Sequence, residues 1–441
     1  MTITVIGAGL AGCEAAWVIS SFGINVRLIE MKPHIYSPAH KSPNLAELVC
    51  SNSLRSAELT SAVGLLKEEL RELGSLIIRS ADETAVPAGR ALAVDREKFS
   101  DVITGAIDLN EKISLERREI RAVPDSADGL VVIATGPLTS DELAGSIVEL
   151  FDEKSLSFYD AIAPIVSAES LDMTKLFKAS RYEEGEGDYL NAPMDESTYN
   201  RFVEEIIKSE KVNLHPFEKI DQFEGCLPIE ELARRGPQTL AYGPMKPVGL
   251  IDPRTGKRPF AVVQLRAENS EGTLYNLVGF QTKMMYPEQL RIFRMIPGLE
   301  RADFQRLGSV HRNTFIDAPN VLDEYSRARS APHVFFAGQI TGVEGYVEST
   351  ASGHVVGIYA ALLSRSVVPE IPPTNTAIGA LLKHTRTPPL KKYEPMNVNY
   401  GMMDDVSVRN RKQKKELRAK IALESIRTWK KKVESQRLQL V

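Results

Sequence analysis

The stretch Val5-Ile6-Gly7-Ala8-Gly9-Leu10-Ala11-Gly12, almost at the start of the chain, constrains the fold more than any other feature. It reads as a strand, a tight turn and a helix start. Gly7 permits the turn, Gly9 lets backbone amides approach a pyrophosphate, and Gly12 lets the helix lie close on the strand. The helix N-terminus then offers amide donors and the positive end of its dipole to phosphate. Arg27-Leu28-Ile29-Glu30 fits a second strand ending in an acid 18 residues past Gly12, where a ribose-binding carboxylate is expected. A lone glycine fingerprint is weak, but a strand, a helix and a placed acid around it make a dinucleotide-binding βαβ unit.

A second glycine-rich string, Phe335-Phe336-Ala337-Gly338-Gln339-Ile340-Thr341-Gly342-Val343-Glu344-Gly345, lies far downstream. A domain that binds only NAD has little need of it. In large flavoproteins a late strand–glycine–helix segment returns to the first domain and aims amides at the cofactor. Ser349 to Ala361 continues as a plausible helix, and Ala351, Val355, Ile358 and Leu362 approximate one apolar face. A third segment, Leu130-Val131-Val132-Ile133-Ala134-Thr135-Gly136-Pro137, reads as a buried strand ending in an Ala-Thr-Gly turn. Together the three point to bound FAD.

At 441 residues there is room for two domains and a sizeable core. Only three cysteines occur, Cys13, Cys50 and Cys226, which speaks against a disulfide framework and for a reducing cytoplasm. No apolar run reaches membrane-spanning length. The seven histidines show no ligand-like spacing to one another or to cysteine, so no metal site is expected. The net charge of -4 hides an asymmetry: 12 Lys or Arg against three Glu from Ser407 to Val441. Leu417, Ile421, Leu423, Ile426 and Trp429 give that tail an amphipathic helical spacing. Such a tail is either a solvated helix face or a contact for nucleic-acid phosphates.

Along the chain, the βαβ unit is followed by helical segments through Gly74, a strand-and-turn region from Asp82 to Asp95, a helix near Lys98–Ile107 and a strand into Gly136. Glu183-Glu184-Gly185-Glu186-Gly187 looks like a crossing into an inserted domain, with a helix at Asp195–Ser209 and strand-like runs at Pro259–Leu265 and Thr273–Phe280. The expected division is 1–184 for the first part of the FAD-binding domain, 185–308 for the insert, 309–405 for the second part, and 406–441 for a basic helix.

Two cysteines stand out chemically. Cys50 lies in a polar turn, Glu47-Leu48-Val49-Cys50-Ser51-Asn52-Ser53-Leu54-Arg55, whose Ser and Asn residues suit a helix N-cap. A thiol there, near Arg55, suits service as a thiolate or acid. Cys226 lies between Gly225 and Pro228 in a loop able to present its side chain. Cys13, inside the first helix, reads as a small buried hydrophobe.

These strings together closely resemble the folate- and FAD-dependent tRNA (uracil-5-)-methyltransferases, the TrmFO family. The resemblance runs through Val5–Gly12, Glu47–Arg55, Val86–Arg96, Gly225–Gly236, Thr239–Gly249, Gly279–Lys283, Gln289–Glu300, His311–Phe315, Phe336–Ser349 and Met396–Gly401. Arg90 departs from it, standing where glycine is expected. The resemblance implies an α/β fold: a Rossmann-like, glutathione-reductase-like FAD-binding domain with an inserted α/β domain and a basic C-terminal helix. It implies FAD, with NAD(P)H and 5,10-methylenetetrahydrofolate as co-substrates, and a methyl group built on C5 of the T-loop uridine of tRNA, position 54.

Uracil C5 becomes nucleophilic only after something adds at C6, and a thiolate is the natural adding group. A second group must then take the C5 proton. By family likeness Cys226 adds to C6 and Cys50 is the acid/base near the flavin, though the roles can be exchanged. The cofactor-binding set implied is Gly7, Ala8, Gly9, Leu10, Ala11, Gly12, Glu30, Lys32, Gly136, Gly338, Gln339, Gly342, Gly345 and Tyr346, with Tyr346 placed to stack on a ring. Arg234-Arg235, Lys246 and Arg254–Arg258 would help hold tRNA, a substrate whose target base must be extruded. The resemblance moves the basic tail towards a tRNA contact. It implies a cytoplasmic protein with no membrane partner, a monomer or weak dimer.

The alternative is the same chemistry on a ribosomal RNA uridine. The larger flavoprotein of the wobble uridine carries a long extra helical region that this sequence does not show. A plain FAD oxidoreductase of a small metabolite is disfavoured by the basic tail and the two cysteine strings, and a non-enzymatic binding module by the intact thiols.

Overall fold

A computed structural model describes residues 2–151, 156–161, 163–181, 187–212, 227–389, 393–408 and 410–438, with backbone alone for 156–161, 310–313 and 411. Cys226 lies outside these residues, as does most of the crossing expected after Tyr182.

The apolar segments of the first and second glycine strings meet in one five-stranded parallel sheet. Its order is Val334–Phe336, Val131–Ile133, Thr2–Ile6, Asn25–Glu30 and Ile113–Arg117. Val131–Ile133 lies between the other two glycine-string strands, Val132 facing Val5 on one side and Phe335 on the other. Its three residues and the whole of Val334–Phe336 are buried, as parallel strands covered on both faces require. The first helix, Leu10–Ser21, and the helix Tyr346–Leu363 pack closely together. Small residues allow it: a Cβ on Gly353 would stand 2.2 Å from the Ala11 carbonyl, and one on Gly357 2.9 Å from that of Ala15. Tyr346–Leu363 is apolar nearly all round and buried accordingly.

A second, antiparallel sheet of six strands has the order Phe177–Lys178, Tyr189–Met194, Ala261–Ala267, Leu274–Leu277, Ile165–Ser167 and Phe304–Arg306. Its own core gathers Tyr199, Phe202, Ile206, Phe280 and Phe293. The helix Glu196–Lys208 covers it and starts at Asp195, whose carboxylate accepts from the Thr198 amide. Ile165–Ser167 and Phe177–Lys178 join this sheet ahead of the expected crossing. A two-stranded ribbon, Leu156–Ala161 against Val310–Phe315, meets the first body, the Thr314 amide donating to the Pro137 carbonyl. The α/β class expected from sequence is the one observed: a parallel dinucleotide-type sheet with a second α/β body and a long C-terminal helix.

Two local expectations are corrected. Ser51 to Ser53 do not cap a helix: Ser53–Ser56 is a strand paired with Ala91–Val94, and the next helix, Ala62–Leu73, is capped by Ser61. The Ser51 and Ser53 hydroxyls instead accept from amides two residues on, closing serine turns, and the chain has a strand partner to meet. On the C-terminal helix, Arg411–Leu438, the buried face is Ala419, Ala422, Ile426, Trp429 and Val433. Leu417 is exposed, because it falls outside the face of the helix that docks on Ala62–Leu73.

Candidate active site

The parallel sheet opens at the carboxyl ends of its strands into a cleft with about 1050 Å³ of empty space, its mouth included. Gly7 to Ala11, Glu30 to Lys32, Ala134 to Ser140, Gln339, Tyr346 and Ser349 line it. The glycine turn has a tight inner side and an open outer side. Gly7 takes a φ of 92° against the Ala134 carbonyl, and a Cβ on Gly12 would fall 1.8 Å from the Gly7 oxygen. Gly9 is extended, at φ -73°, and a Cβ there meets nothing within 4 Å. No side chain caps the helix at Gly9, so its first amides face the cleft without an internal acceptor.

The Glu30 carboxylate braces this turn. Oε2 accepts from the Ala8 amide at 2.9 Å and Oε1 from the Lys32 amide at 3.0 Å, which leaves further lone pairs on each oxygen. Lys32 is buried and its ammonium is committed to the Asn44 carbonyl (2.6 Å) and Glu47 (3.3 Å). Gly136 lines the cleft with positive φ. Gln339 also lines it and donates from Nε2 to Glu344.

Four of the expected cofactor-binding glycines stand outside the lining. Gly12 is the helix-contact residue. Gly338 lies on Ala11, Gly342 lies on the Tyr393 ring, and Gly345 is the uncapped N-terminus of Tyr346–Leu363.

At the other end of the cleft the chain joins two distant segments. The Tyr346 hydroxyl accepts from the Cys50 amide at 2.9 Å and lies 3.0 Å from Cys50 Sγ. Burial, and then Cys50 itself, push the phenol well above its ordinary range, so Tyr346 keeps its proton. With its lone pairs turned to the amide, that proton is available to the sulfur. Cys13 by contrast is sealed in the core, its thiol pushed far up by burial and then by Glu30.

The sequence reading missed a set of charged residues around Cys50. The Arg266 guanidinium donates to Asn52 Oδ1 (2.8 Å) and Ser51 Oγ (2.7 Å), while Asn52 Nδ2 donates to the Val94 and Ala267 carbonyls. Arg96 pairs with Glu268 at 2.8 Å and donates to the Leu48 carbonyl. The Cys50 turn of the first body is thereby fastened to a strand of the second sheet. One signal was available: an arginine inside the apolar strand Ala261–Ala267 needs a reason, and buried arginines have polar partners. Arg55, just beyond, holds φ 64° and pairs with the buried Glu348 at the start of the long helix.

The profile of the family "Glucose inhibited division protein A" matches residues 2–367. A methylenetetrahydrofolate–tRNA-(uracil-5-)-methyltransferase TrmFO of Geobacter sulfurreducens is 58% identical over 95% of this chain and 96% of its own. The chain belongs to the TrmFO family. A TrmFO of Pelobacter propionicus is likewise 58% identical, over 98% of this chain and 95% of its own. One of Heliobacterium modesticaldum is 56% identical over 97% of each. Among solved structures, Aquifex aeolicus GidA superposes with a TM-score of 0.71 at 16% identity, covering 99% of this chain and 74% of that one, which establishes the fold.

Among the described residues of this TrmFO chain no group of acids, histidines and cysteines could hold a metal, and no helix is long and apolar enough to cross a membrane.

Proposed function

We propose that this TrmFO protein builds the methyl group of 5-methyluridine at position 54 of the tRNA T-loop, taking the carbon from methylenetetrahydrofolate with FAD in the cleft and NAD(P)H as reductant. The observation that carries the reading is the meeting of Cys50 and Tyr346, 296 residues apart, at the end of a cleft that begins at an uncapped glycine turn. The cleft fits a dinucleotide: orphan amides at Gly9, open space where its Cβ would be, and an acid at the end of the second strand. When bound, the flavin supplies the carbon relay and the reducing electrons.

The protein's own groups do the rest. The Gly7–Ala11 turn binds pyrophosphate, and Glu30 accepts from ribose hydroxyls while bracing the turn. Cys226 adds as thiolate to C6 of the uracil, and Cys50, hydrogen-bonded to Tyr346, takes the C5 proton. The second sheet and its helices hold the tRNA through Arg234, Arg235, Lys246 and Arg254 to Arg258, and the C-terminal helix extends that surface. The membership of Ile165–Ser167 in this second sheet supports a second body that starts upstream of residue 185. We infer a cytoplasmic enzyme, a monomer or weak dimer.

The test is nucleoside analysis of unmodified tRNA and of ribosomal RNA after incubation with the holoenzyme, methylenetetrahydrofolate and NADPH. 5-Methyluridine at tRNA position 54, absent with Cys50→Ala or Cys226→Ala, supports the reading. Product in ribosomal RNA alone moves the substrate, and product in neither refutes the reading.

A further inference from the structure

Three guanidinium groups converge beside Cys50, and their charge is not balanced. Arg96 has Glu268 as its counter-ion. Arg266, buried, donates to the neutral Asn52 and Ser51 side chains and shares the field of Glu268 with Arg96. Arg306 has less still. It ends the strand Phe304–Arg306 at the edge of the second sheet and reaches across to the first body. Its one hydrogen bond there is long, from Nη2 to the Ala39 carbonyl at 3.4 Å.

Among the described residues, no carboxylate comes within ion-pair distance of Arg306; Glu47, a charge of opposite sign that acts on it, is paired with Lys32. Burial pulls Arg306 below its ordinary range and Arg96 adds repulsion, while Tyr346, Glu47 and Cys50 lie within its electrostatic reach and offset part of it. Burying charge without a partner is costly, and such groups persist where a ligand or a reaction supplies the opposite charge. Arg306, half-buried at the junction of the second sheet with the Ala39 loop, is therefore an underused fork of N–H donors within electrostatic reach of the Cys50 thiol.

We propose that Arg306 donates to the uracil O4 of the target nucleotide and stabilises the negative charge that reaches this oxygen when a thiolate adds at C6. The inference rests on the uridine methylation proposed above. In that step the sulfur pair forms the S–C6 bond, and the C5=C6 π pair moves through C5 onto O4 as an enolate. No proton, oxidant or leaving group is needed, and the reverse flow breaks S–C6 at the end. A neutral carbonyl attracts the guanidinium weakly and an enolate strongly, so the contact favours the transition state over the bound substrate. Arg266 and Arg96 act differently, as positioning residues that hold the Cys50 turn.

The test uses the FAD-loaded full chain with Arg306→Gln and Arg306→Lys, each checked for retained FAD and an unchanged melting temperature. Release of tritium from tRNA carrying 5-tritiated uridine, without folate, reads addition at C6 and exchange at C5 alone. Single-turnover methylation at saturating tRNA reads the full reaction.

We expect Arg306→Gln to slow both about 100-fold, with tRNA Kd within about twofold, and Arg306→Lys to recover part of the loss. Unchanged exchange and turnover rates would overturn the proposal. So would a loss carried entirely by tRNA affinity, which would make Arg306 a phosphate clamp, or loss of FAD in both variants, which would make it a structural brace. If the wild-type protein neither exchanges nor methylates the T-loop uridine, the functional reading itself fails, and that result is distinct from an active wild type with indifferent variants.

Discussion

Single atoms decide most at the glycine turn and at the Cys50–Tyr346 contact. Gly9 and Gly12 stand on opposite sides of the turn, the open side and the tight side. Gly9→Ala keeps an ordinary φ and meets no atom, so the fold should hold with a melting temperature within about a degree, while a methyl group enters the cleft. The expected result is an unshifted melting curve with FAD affinity down at least tenfold, read by flavin fluorescence titration. Gly12→Ala drives a methyl into the Gly7 carbonyl and should cost about 3 kcal/mol or more of stability by denaturant titration. Tyr346→Phe removes a donor to Cys50 Sγ and strands the Cys50 amide. Alkylation of Cys50 by iodoacetamide at neutral pH should slow about tenfold, the worth of one hydrogen bond to a charged group.

At this scale the sequence was unevenly legible. The glycine turn reads directly because its requirements fall within eight consecutive residues. The Cys50–Tyr346 contact and the arginines around it depend on how two sheets pack, and no local spacing encodes that. The serines after Cys50 were misread as a helix cap because a serine turn and an N-cap use the same hydroxyl-to-amide bond.

Among elements, the helix Ala62–Leu73 is the hinge-pin of the far side of the molecule. Its Glu69 is buried and accepts from the amides of Ala377 and Ile378 at 2.7 and 2.9 Å, capping the helix Ala377–His384. Burial pushes this carboxyl up to about 8, against the pull of the two amides. The sign follows from linkage: the folded state holds the proton more tightly than the unfolded chain. The contribution of Glu69 is therefore full below its ordinary value near 4.5 and is lost as pH rises towards 8. Lys67 on the same helix is pulled down to about 7 by burial and then by Arg55, so its effect runs the other way, but only above pH 7. Between pH 5 and 7 the buried Glu230 carboxyl, raised by desolvation, works in the same direction as Glu69, while His40 and His384, lowered by burial, work against it. The Glu69 contribution is therefore read as a difference: the stability that Glu69→Gln loses relative to the wild type should shrink steadily as pH rises across that interval.

The C-terminal helix docks on the same element through Arg427 and Lys430 against Glu72, and its Trp429 indole donates to the Glu370 carbonyl after the helix Tyr346–Leu363. Its existence was legible from charge and period, but the buried face was not, because a partner helix selects which of several apolar positions it covers. Lys412, Lys420 and Lys431 are exposed and have no carboxylate within ion-pair distance among the described residues. Changing all three to Glu should leave the melting temperature unchanged, weaken tRNA binding about tenfold or more, and reduce its salt dependence, by filter binding across a salt series.

As a whole, the molecule sets a dinucleotide cleft in one body against a second sheet, with Cys50 fastened between them by Arg266 and Asn52. The parallel sheet could be foreseen because its strands are continuous apolar runs beside glycine turns. The order of the second sheet could not, because its strands come from positions as far apart as 165 and 306, and their antiparallel pairing is set by the shared core. If the methyl carbon reaches tRNA from folate through this cleft, the folate methylene hydrogens must travel with it. They can be followed by mass spectrometry of position 54 after reaction with methylenetetrahydrofolate deuterated at its methylene, with unlabelled S-adenosylmethionine also present. The expected product is a methyl group carrying both deuteriums and one unlabelled hydrogen. A methyl group without deuterium, or deuterium in no tRNA nucleoside, would contradict that route.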